Sequence, residues 1–168
     1  MTDKISEFGA VVREHQAMVF GIALHLLGDR TLAEEVSQDV FLKLFGVIDS
    51  LKSAEHVLFW LRRATANRSI DEMRRRQSRP EIPLEAEVEP ATMPKVGDPM
   101  LSQRLQQMVA SLPEKARAVI VLRYQEDMSP EEISHSLEMP LATVKSQLQR
   151  ALVMLRDKCA RSFGEVKR

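Results

Sequence analysis

The stretch MSPEEISHSLEMPLATVKSQLQRAL, Met128 to Leu152, reads as two helices separated by a break. Ser129 is a strong N-cap, Pro130 suits the first helical position and Glu132 falls at the third, so a helix is expected over Pro130–Leu137 with its first N–H groups satisfied. Ile133 and Leu137 face inward. Glu138 and Met139 form a turn, Pro140 separates two helices, and the second helix is expected from about Leu141 to Cys159. Its buried stripe is Val144, Leu148, Ala151, Leu152 and Leu155. At about 100° per residue, Ser146 and Arg150 lie opposite that stripe, with Lys145 and Gln149 on its flank. A short helix, a tight turn and a second helix with an exposed polar and basic face form the helix-turn-helix pattern, whose second helix enters the DNA major groove. There Arg engages guanine, and Gln adenine, through paired hydrogen bonds. An ordinary helical hairpin with a solvated face fits the same residues.

Composition points the same way. The chain has 168 residues, six glycines and 5% aromatic residues, a balance that favours an all-α fold of one domain or two small ones. The start, MTDKISEF, is polar, and the most apolar run, MVFGIALHLL (Met18–Leu27), contains His25 and is too short to span a bilayer. A soluble, cytoplasmic protein without membrane insertion is expected. Cys159 is the single cysteine, so no internal disulfide framework forms. His15, His25, His56 and His135 do not fall at metal-ligand spacing, so neither a metal nor a cofactor is expected. Asn67-Arg68-Ser69 matches a glycosylation sequon that has no meaning in an intracellular chain.

The zero net charge conceals a strong pattern. The net charge is −4 over residues 1–60, +5 over 61–80, −4 over 81–98 and +3 over 99–168. Binding follows the local field of a patch, so a polyanionic partner is compatible with the neutral mean.

Apolar residues at Phe8, Val11, Val12, Met18, Val19, Ile22 and Leu26 predict a helix, stopped by Gly28 and Asp29. Thr31 with Glu34 fits a capping box opening a second helix, with the stripe Leu32, Val36, Val40, Leu44 and Ile48. A loop near Leu51–Glu55 leads to a third helix, roughly His56 to Arg76. From Gln77 to Met100 the texture changes to five prolines among acids without a period, which reads as an extended acidic linker. Beyond it, helices are expected over Leu101–Ser111, Glu114–Gln125, Pro130–Leu137 and Leu141–Cys159.

The third helix carries a second basic constellation, WLRRATANRSIDEMRRRQSR (Trp60–Arg79). Phe59, Ala66, Ile70 and Met73 share one side. Trp60, Arg63, Asn67, Asp71 and Arg74 cluster on another, within roughly 80° of each other. Trp, Asn and Arg together can stack on a base, bond to its edge and neutralise phosphates. Asp71 fits beside phosphate only if it pairs with an arginine or accepts from a base amino group. For Trp60, a core position and a DNA contact are equally compatible with the pattern.

Two basic modules joined by an acidic linker resemble the extracytoplasmic-function (ECF) group of bacterial RNA polymerase sigma factors of the sigma-70 family. LAEEVSQDVFLKLF (Leu32–Phe45) is similar to the family's polymerase-binding helix, and FWLRRATANRSIDEMRRR (Phe59–Arg76) to its minus-ten-reading helix. LPEKARAVIVLRYQEDMSPEEISHSLEMPLATVKSQLQRA (Leu112–Ala151) resembles region four throughout. The resemblance implies a sigma-2-like bundle of three to four helices over 1–76, a linker over 77–100, and a sigma-4-like four-helix domain over 101–168.

It also implies roles. Glu35, Gln38, Asp39 and Phe41 fall where the family docks on the beta-prime clamp helices of core RNA polymerase, and the beta flap is a further expected contact. The loop of Lys52, Ser53, Ala54, Glu55 and His56 falls where a flipped-out base is held. Trp60, Arg63, Asn67, Asp71, Arg74 and Arg75 match the minus-ten face. Ser129, Thr143, Lys145, Ser146, Gln149 and Arg150 match positions facing the minus-thirty-five element. The acidic linker would thread the polymerase near its active site and RNA exit path. Promoter DNA and an anti-sigma factor are the other expected partners, and no catalytic role is implied.

The chain departs from the pattern at Glu138 and Ala142, where the family commonly has Gly, at Gln147, where Arg or Lys is frequent, and in LKSAEH, which lacks the usual Arg-Gly start. These differences bear on the promoter sequence rather than on the activity class. A stand-alone helix-turn-helix regulator would account for residues 101–168 but leaves AEEVSQDVF and the Arg-rich helix without a job. A helical enzyme using Glu34, Glu35 and Asp39 lacks a His or metal-ligand partner.

Overall fold

The computed structural model describes residues 2–78 and 99–164, which form seven α-helices and short turns, with no strand among the described residues. The chain divides into two compact units, one on either side of residues 79–98. The predicted linker therefore lies outside the described residues except at its ends. Gln77 and Ser78 continue the third helix, and Pro99 and Met100 open the fourth, so each helix reaches two residues further than the sequence pattern indicates. Proline at the first helical position loses no hydrogen bond, which is why Pro99 can start a helix.

The first unit contains α1 (Thr2–Leu27), α2 (Arg30–Val47), a 3-10 turn (Ile48–Ser50) and α3 (Ala54–Ser78). Its core is Val19, Ile22, Ala23 and Leu26 of α1, Ala33, Val36, Val40 and Leu44 of α2, and Leu61, Ala66, Ile70 and Met73 of α3. Gly28, at φ 65°, ends α1 in the left-handed conformation that glycine adopts without a Cβ penalty. The expected Thr31–Glu34 capping box does not form. Asp29 is the N-cap instead, in an extended conformation, and its carboxylate accepts from Leu32 N at 3.0 Å and from Arg76 Nη2 at 3.1 Å. Glu34 is left to accept from Arg30 Nε, 3.5 Å away, one turn back on the same helix.

The second unit contains α4 (Pro99–Ala110), α5 (Glu114–Ile120), α6 (Pro130–Leu137) and α7 (Leu141–Gly164). Leu112, Ala116, Ile120 and Ala151 form the centre of a cluster against which Val109, Leu148, Leu152 and Leu155 pack. The single helix expected over Glu114–Gln125 instead widens after Ile120 into a π-turn, Val121–Gln125, closed by Glu126 N donating to Val121 O at 3.3 Å. Met128 is fully buried just beyond and anchors the start of α6. There Ser129 Oγ accepts from Glu132 N at 3.1 Å while Glu132 Oε2 accepts from Ser129 N at 3.3 Å, so the predicted capping box is complete. Val144 N donates to Pro140 O at 3.0 Å and begins the ladder of α7.

Candidate nucleic-acid interface

Three faces are candidates, two on the first unit and one on the second. On α2, Glu35 and Gln38 are exposed, while Asp39 and Phe41 are half-buried. Residues three, four and seven apart share a helix face, so Glu35, Gln38 and Asp39 continue to Leu42, whose side chain the sequence reading passed over. Leu42 is 72% exposed and, with the 42%-exposed Phe45, belongs to an apolar patch and does not stand as a single exposed leucine. Gln38, Phe41, Leu42 and Phe45 also line a groove of about 910 Å³ between α1 and α2, with Phe8 and Phe20 on its other wall. Phe8 meets Phe45 edge-on, ring centroids 5.0 Å apart, and Lys4 Nζ lies 5.2 Å from the Phe45 ring centre. The face is thus acidic and amide-bearing along one line and apolar along the next.

The second face follows α3. Lys52 and Ser53 are exposed in a turn, but Ala54, Glu55 and His56 are not loop residues: they form the exposed first turn of α3. The helix starts early because Ser53 Oγ accepts from His56 N at 3.1 Å, and Val57 N donates to Ser53 O at 3.1 Å. Trp60, Arg63 and Asn67 are half-buried, and Asp71, Arg74 and Arg75 are exposed. Trp60 to Arg74 spans about 21 Å of helix at 1.5 Å per residue, a continuous strip of indole, amide and guanidinium groups. Trp60 is neither core nor free. Its partial burial is compatible with stacking.

Arg76 binds the Asp29 cap, and Arg68 binds Asp39 and Glu72. Burial opposes the charge of Arg68, yet the hydrogen bonds to Glu72 and Asp39 outweigh it and hold the guanidinium above the ordinary arginine value.

On the second unit, Lys145, Ser146, Gln149 and Arg150 are exposed on α7, and Thr143 is half-buried near its start. Ser146, Gln149 and Arg150 border a shallow hollow of about 590 Å³ with Val153 and Met154. Val153 is 49% exposed and extends the face with an apolar contact that the sequence reading did not include. Ser129 differs from the others of its set, because its hydroxyl already caps α6.

The turn before α7 holds its shape without glycine. Glu138 takes φ 51° and ψ 44°, and the turn is tied by Met139 N donating to Ser134 O at 3.1 Å and Ser134 Oγ donating to Met139 O at 2.6 Å.

Among the described residues no group of three His, Cys, Asp or Glu side chains is placed to hold a metal ion, and no helix is long and apolar enough to cross a membrane. Cys159 is half-buried, its Sγ 3.6 Å from Met108 Sδ.

Residues 11–79 match the family profile of sigma-70 region 2, and residues 102–155 that of sigma-70 region 4. The chain is 32% identical over 164 residues to the ECF RNA polymerase sigma factor SigW of Bacillus subtilis, covering 89% of this chain and 87% of that protein. It is 34% identical over 161 residues to the ECF RNA polymerase sigma factor SigE of Mycolicibacterium smegmatis, covering 92% of this chain and 62% of that longer protein. Among solved structures, it shares its fold with the sigma factor RpoE of Bartonella quintana, in complex with the anti-sigma factor NepR, at a TM-score of 0.74 and 21% identity over 91% of this chain and 96% of that one. CnrH, in complex with the cytosolic domain of CnrY, matches at a TM-score of 0.61 and 21% identity, over 89% and 85% of the two chains.

Proposed function

The chain belongs to the ECF RNA polymerase sigma factors, which direct transcription initiation, and on that premise we propose how its three faces divide the work. The α2 face, Glu35, Gln38, Asp39 and Phe41 with Leu42 added, docks on the beta-prime clamp helices of core polymerase. Lys52–His56 and the α3 strip from Trp60 to Arg75 bind the minus-ten element. Thr143, Lys145, Ser146, Gln149 and Arg150, with Ser129 beside them, face the minus-thirty-five element, and the second unit also meets the beta flap.

The observation that carries this division is that α2 and α3 of one small bundle both present exposed or half-buried polar faces, one acidic with an apolar groove beside it, the other basic and aromatic. A stand-alone DNA reader has use for only the second.

The chemistry follows from the side chains. Arg150 and Gln149 can each make a paired hydrogen bond to a base edge, worth about 1–3 kcal/mol of discrimination against the wrong base. Extruding a minus-ten base from the stack costs a few kcal/mol. Capture by the first turn of α3, with stacking on Trp60 and amide contact from Asn67, offsets that cost once the strand is held. The protein supplies binding and no bond-making step of its own. The two solved relatives in fold are each held by a protein partner, RpoE by an anti-sigma factor, and an anti-sigma factor covering these faces is the regulator proposed for this chain in the bacterial cytoplasm.

Fluorescence anisotropy on labelled promoter fragments tests the division. Selective binding is expected only when core polymerase is present. Tight, selective binding by the chain alone would favour a stand-alone regulator.

A further inference from the structure

Between the α2 docking face and the α3 strip lies an ion cluster that includes Asp39 of the docking face and two residues, Arg68 and Glu72, that neither face uses directly. Arg68 on α3 donates to Oδ2 of Asp39 on α2 from Nε at 3.3 Å and from Nη2 at 3.1 Å, and to Oε2 of Glu72 from Nη1 at 3.0 Å. The side chain of Glu72 is 11% exposed and that of Arg68 26%, whereas that of Asp39 is 44% exposed. The cluster therefore has an inner, desolvated end at Glu72 and an outer, wet end at Asp39. A guanidinium is a rigid planar fork, so once Nη1 is fixed on the inner carboxylate, the positions of Nε and Nη2 are fixed too. Both of those donors converge on one oxygen of Asp39. Among the described residues, Oδ1 of Asp39 takes no hydrogen-bond or ion-pair partner.

We propose that Arg68 is a positioning residue for core-polymerase binding: anchored on Glu72, it occupies Oδ2 of Asp39 from within and leaves Oδ1 for a cationic group of the polymerase. This deepens the docking role proposed for Asp39 and rests on it. Two effects of Arg68 on such a contact oppose each other. Its positive charge repels an incoming cation, but Asp39 is wet enough for solvent and salt to screen that repulsion. Holding the carboxylate in one pose removes an ordering cost that a free side chain would meet on binding. Positioning outweighs repulsion, so loss of Arg68 weakens the complex. Asn67 is the neighbour of Arg68 on α3, so the same anchor that presents Asp39 fixes the helix carrying the minus-ten amide.

The test is the affinity of the full chain for core polymerase, measured for Asp39→Ala, Arg68→Ala, their double variant and Glu72→Gln, with thermal melting of each. Asp39→Ala is expected to weaken binding, and Arg68→Ala to weaken it by about fivefold to tenfold, with the double variant no weaker than Asp39→Ala alone. Glu72→Gln keeps an oxygen acceptor for Nη1 and removes only charge, so it lowers the melting temperature while core affinity stays within about twofold. A bracing role for the cluster predicts the reverse: losses that add in the double variant and a fall in affinity for Glu72→Gln that tracks stability. Either result overturns the proposal, as does an Arg68→Ala affinity equal to or above that of the parent chain. Should Arg68→Ala fail to fold, Arg68→Lys carries the test, because one ammonium cannot serve both carboxylates in this geometry. It is expected to bind core more weakly, with no further loss when combined with Asp39→Ala, and parent-like binding by Arg68→Lys would overturn the proposal. An Asp39→Ala variant that binds core normally sinks the docking assignment itself; normal binding by Arg68→Ala beside weak binding by Asp39→Ala sinks only the role of Arg68.

Discussion

Glu138 sits at φ 51° in the turn between α6 and α7, a conformation that costs a residue with a Cβ roughly 1–2 kcal/mol relative to glycine. Ser134 offsets that cost by accepting and donating across the turn to Met139. Glu138→Gly removes the strain but frees the unfolded chain, so a net gain of about 0.5–1 kcal/mol is expected in urea unfolding of the full chain. A loss would mean that the glutamate side chain contributes more to the turn than its backbone strain removes. At this scale the sequence was readable wherever a residue acts on its own near neighbours. Ser129, Pro130 and Glu132 announce their capping box because its parts are three residues apart. Thr31 and Glu34 have the same spacing and form none, because Asp29 stands two residues earlier with a carboxylate that both caps α2 and binds Arg76. The Asp29–Arg76 contact joins residues distant in sequence, so no local pattern reveals it.

At the scale of the element, helix type and face were legible and helix ends less so. Periodicity places Val36, Val40 and Leu44 of α2 inside, and they are buried. The same periodicity cannot see the π-turn after Ile120, where the backbone bonds reach back five residues instead of four, as Glu126 N does to Val121 O. Nor does it separate Lys52–His56 into a turn and a helical start, since Ser53 does that through one side-chain bond. Leu42 lies opposite the stripe of Val36, Val40 and Leu44, so periodicity turns it outward, but a single outward leucine is ordinary and only its place beside Phe41 and Phe45 on the groove marks it.

Each element then carries its own test. Leu42→Asp should weaken core polymerase binding at least tenfold in a pull-down titration while leaving the melting temperature within a few degrees; unchanged affinity would remove Leu42 from the docking face. Asn67→Ala should impair binding of a minus-ten single strand by the assembled holoenzyme with core affinity intact, and joint loss of both would indicate damage to α3 packing. Arg150→Ala should reduce discrimination between the correct and a substituted minus-thirty-five element by about 1–3 kcal/mol. An equal loss on both sequences would limit Arg150 to a phosphate contact.

At the scale of the whole molecule, a neutral chain binds a polyanion because its charge is partitioned. The +5 block over 61–80 lies largely on α3 and the +3 block includes α7, while the −4 block over 1–60 includes the acids of α2. Local fields, not the mean, decide what each face attracts. Each unit has its own apolar core, so the three faces rest on packed scaffolds rather than on loops.

These faces are expected to act together only on core polymerase, and run-off transcription reads out that joint action. With core enzyme and genomic fragments, adding the full chain is expected to create new, sequence-defined start sites, and the Gln38→Ala, Phe41→Ala double variant is expected to lose them. A start-site pattern that the chain leaves unchanged on every fragment, under conditions where core enzyme is active, would contradict the account.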